Sequence, residues 1–231
     1  MRDVPFTRSL PHRLLRRHAS MSADWDARAR ANPLFYICKE SAESRAAFEE
    51  SGRRELDEIV LRGLDLPRGA VAVEIGCGIG RIVRALAPRV AKVYAGDVSP
   101  EMLARAKEYC SDRANVEFLR IDGSLGGIPS GAADLVYSHL VFQHVPRVKF
   151  IRGYVREAAR VLKPGGVFRA NVDGRSRQWY RRMAADSWSG VVFSERRWRR
   201  ELESAGFRVE EITGAGTQYL WSSAIKVPES S

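Results

Sequence analysis

The apolar positions of the chain follow two alternating rhythms. The run "VAVEI", Val71 to Ile75, is short and mostly β-branched, with "LPRG" before it and glycines after it, which predicts a buried strand. Similar runs return in "AKVYAGD", "NVEFLRID", "ADLVYSHL" and "VFRANV". Between them the spacing becomes helical. Ile82, Val83 and Leu86 share one face, ended by Pro88. "SPEMLARAKEYC" has Ser99 placed as an N-cap and Pro100 at the first helical position. Ile151, Val155, Ala158 and Leu162 line one side of a longer helix with its stop at Lys163-Pro164-Gly165-Gly166. "SERRWRRELESAGF" reads as a last helix closed by Gly206.

Upstream, "SADWDARARANP" predicts a helix that stops at Asn32-Pro33, and Ser44 to Gly63 predicts another with Phe48, Leu56, Ile59 and Val60 as its apolar stripe. Strands alternating with helices imply an α/β fold, a largely parallel sheet covered on both faces. The final strands, "FRVEEITG" and "TQYLWSSAIKV", are separated only by Gly214 to Gly216 and should form a hairpin, giving the sheet one antiparallel strand. The expected organisation is one domain over residues 21–231, a helical cap at 21–66 and a core at 67–231, with no internal repeat.

Composition changes this picture little. With 231 residues, 45% hydrophobic and 29% charged, the chain reads as an ordinary soluble globule. No apolar run approaches the ~20 residues of a membrane span, and arginines interrupt the N-terminus where a secretory signal would be apolar. Cys38, Cys77 and Cys110 fit no metal-ligand spacing, and a cytoplasmic location follows as the plain reading. The net charge of +10 is uneven: residues 1–20 hold five arginines against Asp3. That flank has no helical period. It is expected to be a disordered tail, or to reflect an upstream start codon where Met21 is the true one; a basic anchor or targeting arm is the alternative.

The chemistry gathers around "VAVEIGCGIGRI", where Gly76, Gly78 and Gly80 follow the first strand at every second position. Ligands of open α/β sheets sit at the carboxyl ends of the strands, and glycine lets a ligand touch the main chain. A dinucleotide loop would have glycine at the sixth position of G-x-G-x-x-G; here that place is Arg81. The pattern is instead E-x-G-x-G-x-G, with Glu74 two residues before the first glycine. It suits a cationic amino group near Glu74 and a thin uncharged linker over the glycines. Asp97 ends the second strand, placed to accept both hydroxyls of a ribose, and Asp122 ends the third, placed to take an adenine amine proton.

These stretches, with "GDVSPEMLARAKE", "ADLVYSHLVFQHV" and "EAARVLKPGG", resemble the class I S-adenosylmethionine-dependent methyltransferases of small-molecule type from about Val71 to Val227. The resemblance implies a Rossmann-like seven-stranded sheet in the order 3-2-1-4-5-7-6 with strand 7 antiparallel. It implies S-adenosyl-L-methionine as cofactor, with Glu74, Gly76, Cys77 and Gly78 at the methionine end, Asp97 at the ribose, and Asp122 with Gly123 at the adenine. Val98 and Met102 would pack on the adenosine, although Met102 equally suits a helix core. Ser138 and His139 would border the sulfonium. The expected activity is methyl transfer to a small molecule, an O-methylation of a sugar-like or natural-product hydroxyl. A base is needed only where the acceptor must lose a proton, and His144 and then His139 are the candidates. No metal constellation is evident.

Two other readings stay open: an RNA or protein methyltransferase, favoured by the charge, and a non-catalytic cofactor-binding protein. The tetrapeptide that grips a flipped base in amino-methylating nucleic-acid enzymes is not matched after strand 4, which reads "SHLV"; "NPLF" at Asn32 resembles it only superficially. Nucleic acid is therefore possible but not favoured as a partner. Trp25, Phe35 and Tyr36 are candidate lid residues. Arg175, Arg177, Arg181 and Arg182, interleaved with Trp179 and Tyr180, form a stretch able to meet an anion, or a solvated basic face.

Overall fold

Strand β1 (Val71–Ile75) sits near the middle of the sheet because both of its faces are apolar: Val73 and Ile75 enter one hydrophobic cluster and Ala72 the other. The computed structural model describes residues 21–38, 44–175 and 190–228. β1 pairs in parallel with β2 (Lys92–Asp97) and with β4 (Ala133–Ser138). β3 (Val116–Arg120) lies outside β2, and β5 (Leu162–Val172) outside β4, again in parallel. β6 (Phe207–Thr213) and β7 (Leu220–Lys226) complete a seven-stranded sheet in the order β3-β2-β1-β4-β5-β7-β6. β7 runs antiparallel to both of its neighbours, as the short Gly214–Gly216 connection requires.

Helices cover the two faces. One carries α6 (Val148–Val161) and α7 (Glu195–Glu203); Ile151, Val155, Ala158, Trp198 and Leu202 enter its core. Trp198 is fully buried, and its indole N–H donates to Ser222 Oγ at 3.0 Å. The other face carries α3 (Arg45–Glu55) and α4 (Arg81–Leu86), with Leu56, Ile82, Val83 and Leu86 packed together. α5 (Pro100–Tyr109) starts as expected: the Ser99 hydroxyl accepts from Met102 N at 3.0 Å.

Three local expectations need correction. The Ser44–Gly63 helix is not uniform: after Glu55 it widens into a π turn, Leu56–Val60, closed by Leu61 N to Leu56 O at 2.7 Å. The buried Arg169 guanidinium donates to Val60 O at 2.7 Å, so tertiary contact holds that wider turn. Second, Lys163–Gly166 does not merely end α6. It already belongs to β5, with a register shift against β4 between Ala133 and Leu135. Third, Asn32-Pro33 stops α1 (Met21–Ala31) but opens α2 (Pro33–Ile37): Asn32 Oδ1 accepts from Phe35 N at 3.1 Å. The basic flank at 1–20 and the aromatic–arginine stretch from 176 to 189 lie outside the described residues.

Within the cap, α1 is fastened to the core through the Asp26 carboxylate. Asp26 of α1 accepts from Ser99 Oγ and from Glu101 N, the latter at 3.1 Å, at the start of α5. A small apolar cluster of Ala29, Cys38, Phe48, Ile79 and Met102 lies beside it. Asp26→Ala should cost about 1 kcal/mol, the usual value of a capping contact, and lower the melting temperature by ~2–4 °C. Amide hydrogen exchange should rise in α1 well before β1. Equal protection of α1 in parent and variant would show that the apolar cluster alone holds the cap.

Candidate functional site

The loop that follows β1 is shaped by its neighbour. Gly76 N and Cys77 N both donate to Gly96 O of β2, at 2.7 and 2.9 Å. Gly78 N donates to Asp97 Oδ2 at 2.8 Å, and Ser99 N to Asp97 Oδ1 at 2.9 Å. One carboxylate thus joins the loops after β1 and β2. Gly76 and Gly78 have φ of +81° and +54°. A Cβ on Gly76 would stand 2.4 Å from Val141, and one on Gly78 would stand 2.8 Å from Ile37, so both glycines leave room for side-chain tips or a ligand to lie on the backbone.

Above this loop is a cavity of about 480 Å³. The sheet side of its wall carries Glu74, Gly76, Cys77, Gly78, Asp97 and Val98, and Met102 joins from α5. Trp25, Phe35, Tyr36 and Ile37 close it from the cap, and Tyr219 from the far side. Both histidines singled out by sequence line it, so the structure brings together most of the expected set. Four expected residues stand apart. Gly80 faces α5, where a Cβ would meet Cys110 Sγ at 2.9 Å. Ser138 is fully buried and donates its hydroxyl to Ile75 O at 3.0 Å, tying β4 to β1. Asp122 is exposed at the end of β3, and Gly123 packs against Phe150; it is Ile121 that reaches the cavity.

The buried charges are set by their neighbours. Glu74 is buried and, among the described residues, accepts from Tyr137 Oη at 2.9 Å; burial pushes its pKa up to about 8. Burial raises Asp97 too, to about 6, against the pull of its backbone N–H donors. Glu55 behaves in the opposite way. Arg81 Nη2 and His139 Nε2 meet its Oε2 at 2.6 and 2.7 Å. Burial opposes its ionisation, but these two hydrogen bonds hold the carboxyl down at about 2. His144 Nε2 lies 3.2 Å from the Gln143 amide nitrogen, and its ring stands edge-on to Trp25. Arg175, expected to meet an anion, is paired with Asp173 at 2.6 Å.

Sequence reasoning missed Glu55 and gave Arg81 no role. A signal was available for Glu55. It lies seven residues after Phe48, on the face that buries Phe48, Ser51, Gly52 and Leu56, and a charge on such a stripe marks a buried partner.

Residues 73–170 match the family model described as a methyltransferase domain. A methyltransferase from Aquifex aeolicus, described as SAM-dependent, is 25% identical and superposes with a TM-score of 0.58 over 80% of this chain and 99% of its own. Together these matches support a class I S-adenosylmethionine-dependent methyltransferase. In fold it is also similar to a chain of the Haloferax volcanii complex between the Trm112 methyltransferase activator and a methyltransferase, with a TM-score of 0.71 at 19% identity, covering 92% of this chain and 100% of that one. Among curated proteins it is 29% identical, over 66% of its length, to the 2-methyl-6-phytyl-1,4-hydroquinone methyltransferase of Synechocystis sp., of which it covers 51%. It is 31% identical, over 48% of its length, to the ubiquinone biosynthesis O-methyltransferase of Methylococcus capsulatus, of which it covers 47%. The chain therefore spans about half the length of these two relatives. S-adenosylmethionine is the cofactor of this methyltransferase family. The cavity fits it: Gly76 and Gly78 line it without side chains, and the buried Arg81 Nε and His139 Nδ1 have no hydrogen-bond partner among the described residues.

A pH dependence follows. Glu74 is raised from 4.5 to about 8, so the folded protein keeps a proton that the unfolded chain gives up. Its contribution to stability is full below 4.5 and is lost as pH rises towards about 8. Asp97 acts in the same direction only up to about 6, and Glu55 only below 4.5. Between about 6 and 8 the ligand-free protein should lose stability with rising pH, and Glu74→Gln should flatten that slope. Denaturant melts at a series of pH values check this; an unchanged slope in the variant would place the titration elsewhere.

Proposed function

We propose that the protein transfers the methyl group of S-adenosylmethionine to a hydroxyl of a small, largely apolar acceptor of phenolic or hydroquinone type. The observation that carries this reading is the two-sided cavity, with acids and bare glycine backbone on the sheet wall and aromatic rings on the cap wall. The hydroquinone and ubiquinone-pathway enzymes named above support a phenol more than the sugar-like acceptor expected from sequence. When bound, the cofactor supplies an electrophilic methyl group, whose bond pair leaves with sulfur as an acceptor lone pair forms the new bond.

Each protein group then has a defined task. Glu74 faces the cofactor's amino group, and the backbone of Gly76, Cys77 and Gly78 holds the methionine end. Asp97 takes the ribose. Val98 and Met102 flank the adenosine. The rings of Trp25, Phe35 and Tyr36 exclude water and orient the acceptor, which is most of what methyl transfer needs.

Cofactor binding is expected in the micromolar range, ~−7 to −8 kcal/mol. Asp97→Ala should weaken it by about 1.5–3 kcal/mol through lost charge-assisted hydrogen bonds. It should also destabilise the fold, since Gly78 N and Ser99 N lose their acceptor. Calorimetry on the folded variant tests the ribose assignment, and unchanged affinity would refute it. To test the acceptor class, the protein is incubated with methyl-labelled cofactor and separate panels of phenols, hydroquinones, sugars and RNA. Label is expected in the first two; label confined to sugar or RNA would overturn the proposal.

A further inference from the structure

The Glu55–Arg81–His139 cluster joins three segments distant in sequence: the cap-side helix α3, the start of α4 behind the glycine loop, and the turn after β4. The His139 and Arg81 side chains are only 6% and 4% exposed. Both contacts to Glu55 converge on a single carboxylate oxygen. Glu55 is ionised at neutral pH, held near 2 by these partners. An ionised carboxylate only accepts hydrogen bonds, so the hydrogen between it and His139 sits on Nε2. In the neutral ring the lone pair is then on Nδ1, and Nδ1 is buried with no partner among the described residues.

We propose that Glu55 is a positioning residue that locks His139 in the Nε2–H tautomer, and that His139 Nδ1 is the atom that takes the acceptor's hydroxyl proton. This rests on the hydroxyl-methylation reading above.

Three further observations carry it. His139 borders the cavity, and Leu140 after it is the one non-glycine residue among those described with a left-handed backbone, φ 59°. That turn is held by Leu140 N donating to Asn171 Oδ1 at 2.6 Å. Strained backbone of this kind persists where surrounding structure enforces it, and it concentrates at functional sites. The other candidate, His144, has its Nε2 met by the Gln143 amide, which has only hydrogens to give. In the step itself, the acceptor's O–H bond breaks. The proton goes to Nδ1, the electron pair stays on oxygen to form the bond to the methyl carbon, and the resulting imidazolium faces Glu55. The charged group that meets the ring is Glu55 of α3, itself paired with Arg81 of α4, while Trp221 of β7 packs edge-on against it.

The test reads His139 by ¹⁵N-resolved NMR of the cofactor-free protein, compared with Glu55→Gln and His139→Asn. The parent should show the Nε2–H tautomer. Glu55→Gln keeps an acceptor but removes its charge, so the rising limb of the pH–rate profile should move to lower pH. His139→Asn should lower kcat about 10²–10⁴-fold, with the KM for the cofactor within about twofold. An Nδ1–H tautomer in the parent would overturn the proposal. So would a pH–rate profile unmoved by Glu55→Gln, or a His139→Asn enzyme that keeps most of its turnover. Should Glu55→Gln fail to fold, the parent tautomer and His139→Asn still decide. Absence of cofactor binding by the parent would instead count against the methyltransferase reading, since the tautomer is read without cofactor.

Discussion

The carboxylate of Asp97 is the interaction on which the site depends. It accepts from Gly78 N and Ser99 N, and so fixes the loops that leave β1 and β2 against each other. Ser99 then passes the constraint on: its hydroxyl caps α5 through Met102 N and reaches Asp26 on the cap. The glycine loop, the start of α5 and the lid over the cavity therefore share one short chain of hydrogen bonds. Buried donors left without that acceptor would each cost about 1–3 kcal/mol. The residue proposed to take the ribose is thus also one that shapes the pocket wall.

Two glutamates in the same cavity show how environment decides protonation. Glu74 has a phenol as its hydrogen-bond donor and is raised to about 8; Glu55 has a guanidinium and an imidazole and is lowered to about 2. The difference is made by partners, since both lose water. A neutral Glu74 costs little to bury while no cation faces it. Glu55 could not be buried in that way, because Arg81 beside it would become an uncompensated internal charge. Glu55 thus neutralises the permanent cation beside it, while Glu74 is protonated by its burial.

Much of this architecture is legible in the sequence, because it depends on local pattern. The β-branched run before Gly76, the Ser99-Pro100 cap and the glycine-flanked connection before β7 each declare their structure over a few residues. The departures lie where distant contacts decide. Lys163–Gly166 has every mark of a helix stop, yet the pairing of Leu162 and Val167 with β4 on either side of it draws it into β5 as an irregularity. The π turn after Glu55 answers to Arg169, more than a hundred residues later in the chain. Gly80 and Ser138 belong to the expected motifs, but their surroundings commit one to helix packing and the other to strand pairing. Glu55 escaped notice because a glutamate in an arginine-rich helix is ordinarily a solvated charge, and only its place on the buried stripe sets it apart.

The two walls of the cavity are held in different ways, and this bears on what each can specify. The acid-bearing wall is the carboxyl edge of the sheet, so its residues are fixed by strand pairing on both sides of β1. Moving Glu74 or Asp97 would mean shifting a register that the whole core enforces. The aromatic wall hangs from helices α1 and α2, fastened by Asp26 and a small apolar cluster. Its Trp25, Phe35 and Tyr36 can change size or polarity without disturbing the sheet. A rigid wall suits a ligand common to a whole family, and a lightly fastened one suits a ligand that differs between members. On the function proposed above, acceptor choice is written chiefly in the cap and the donor in the strands.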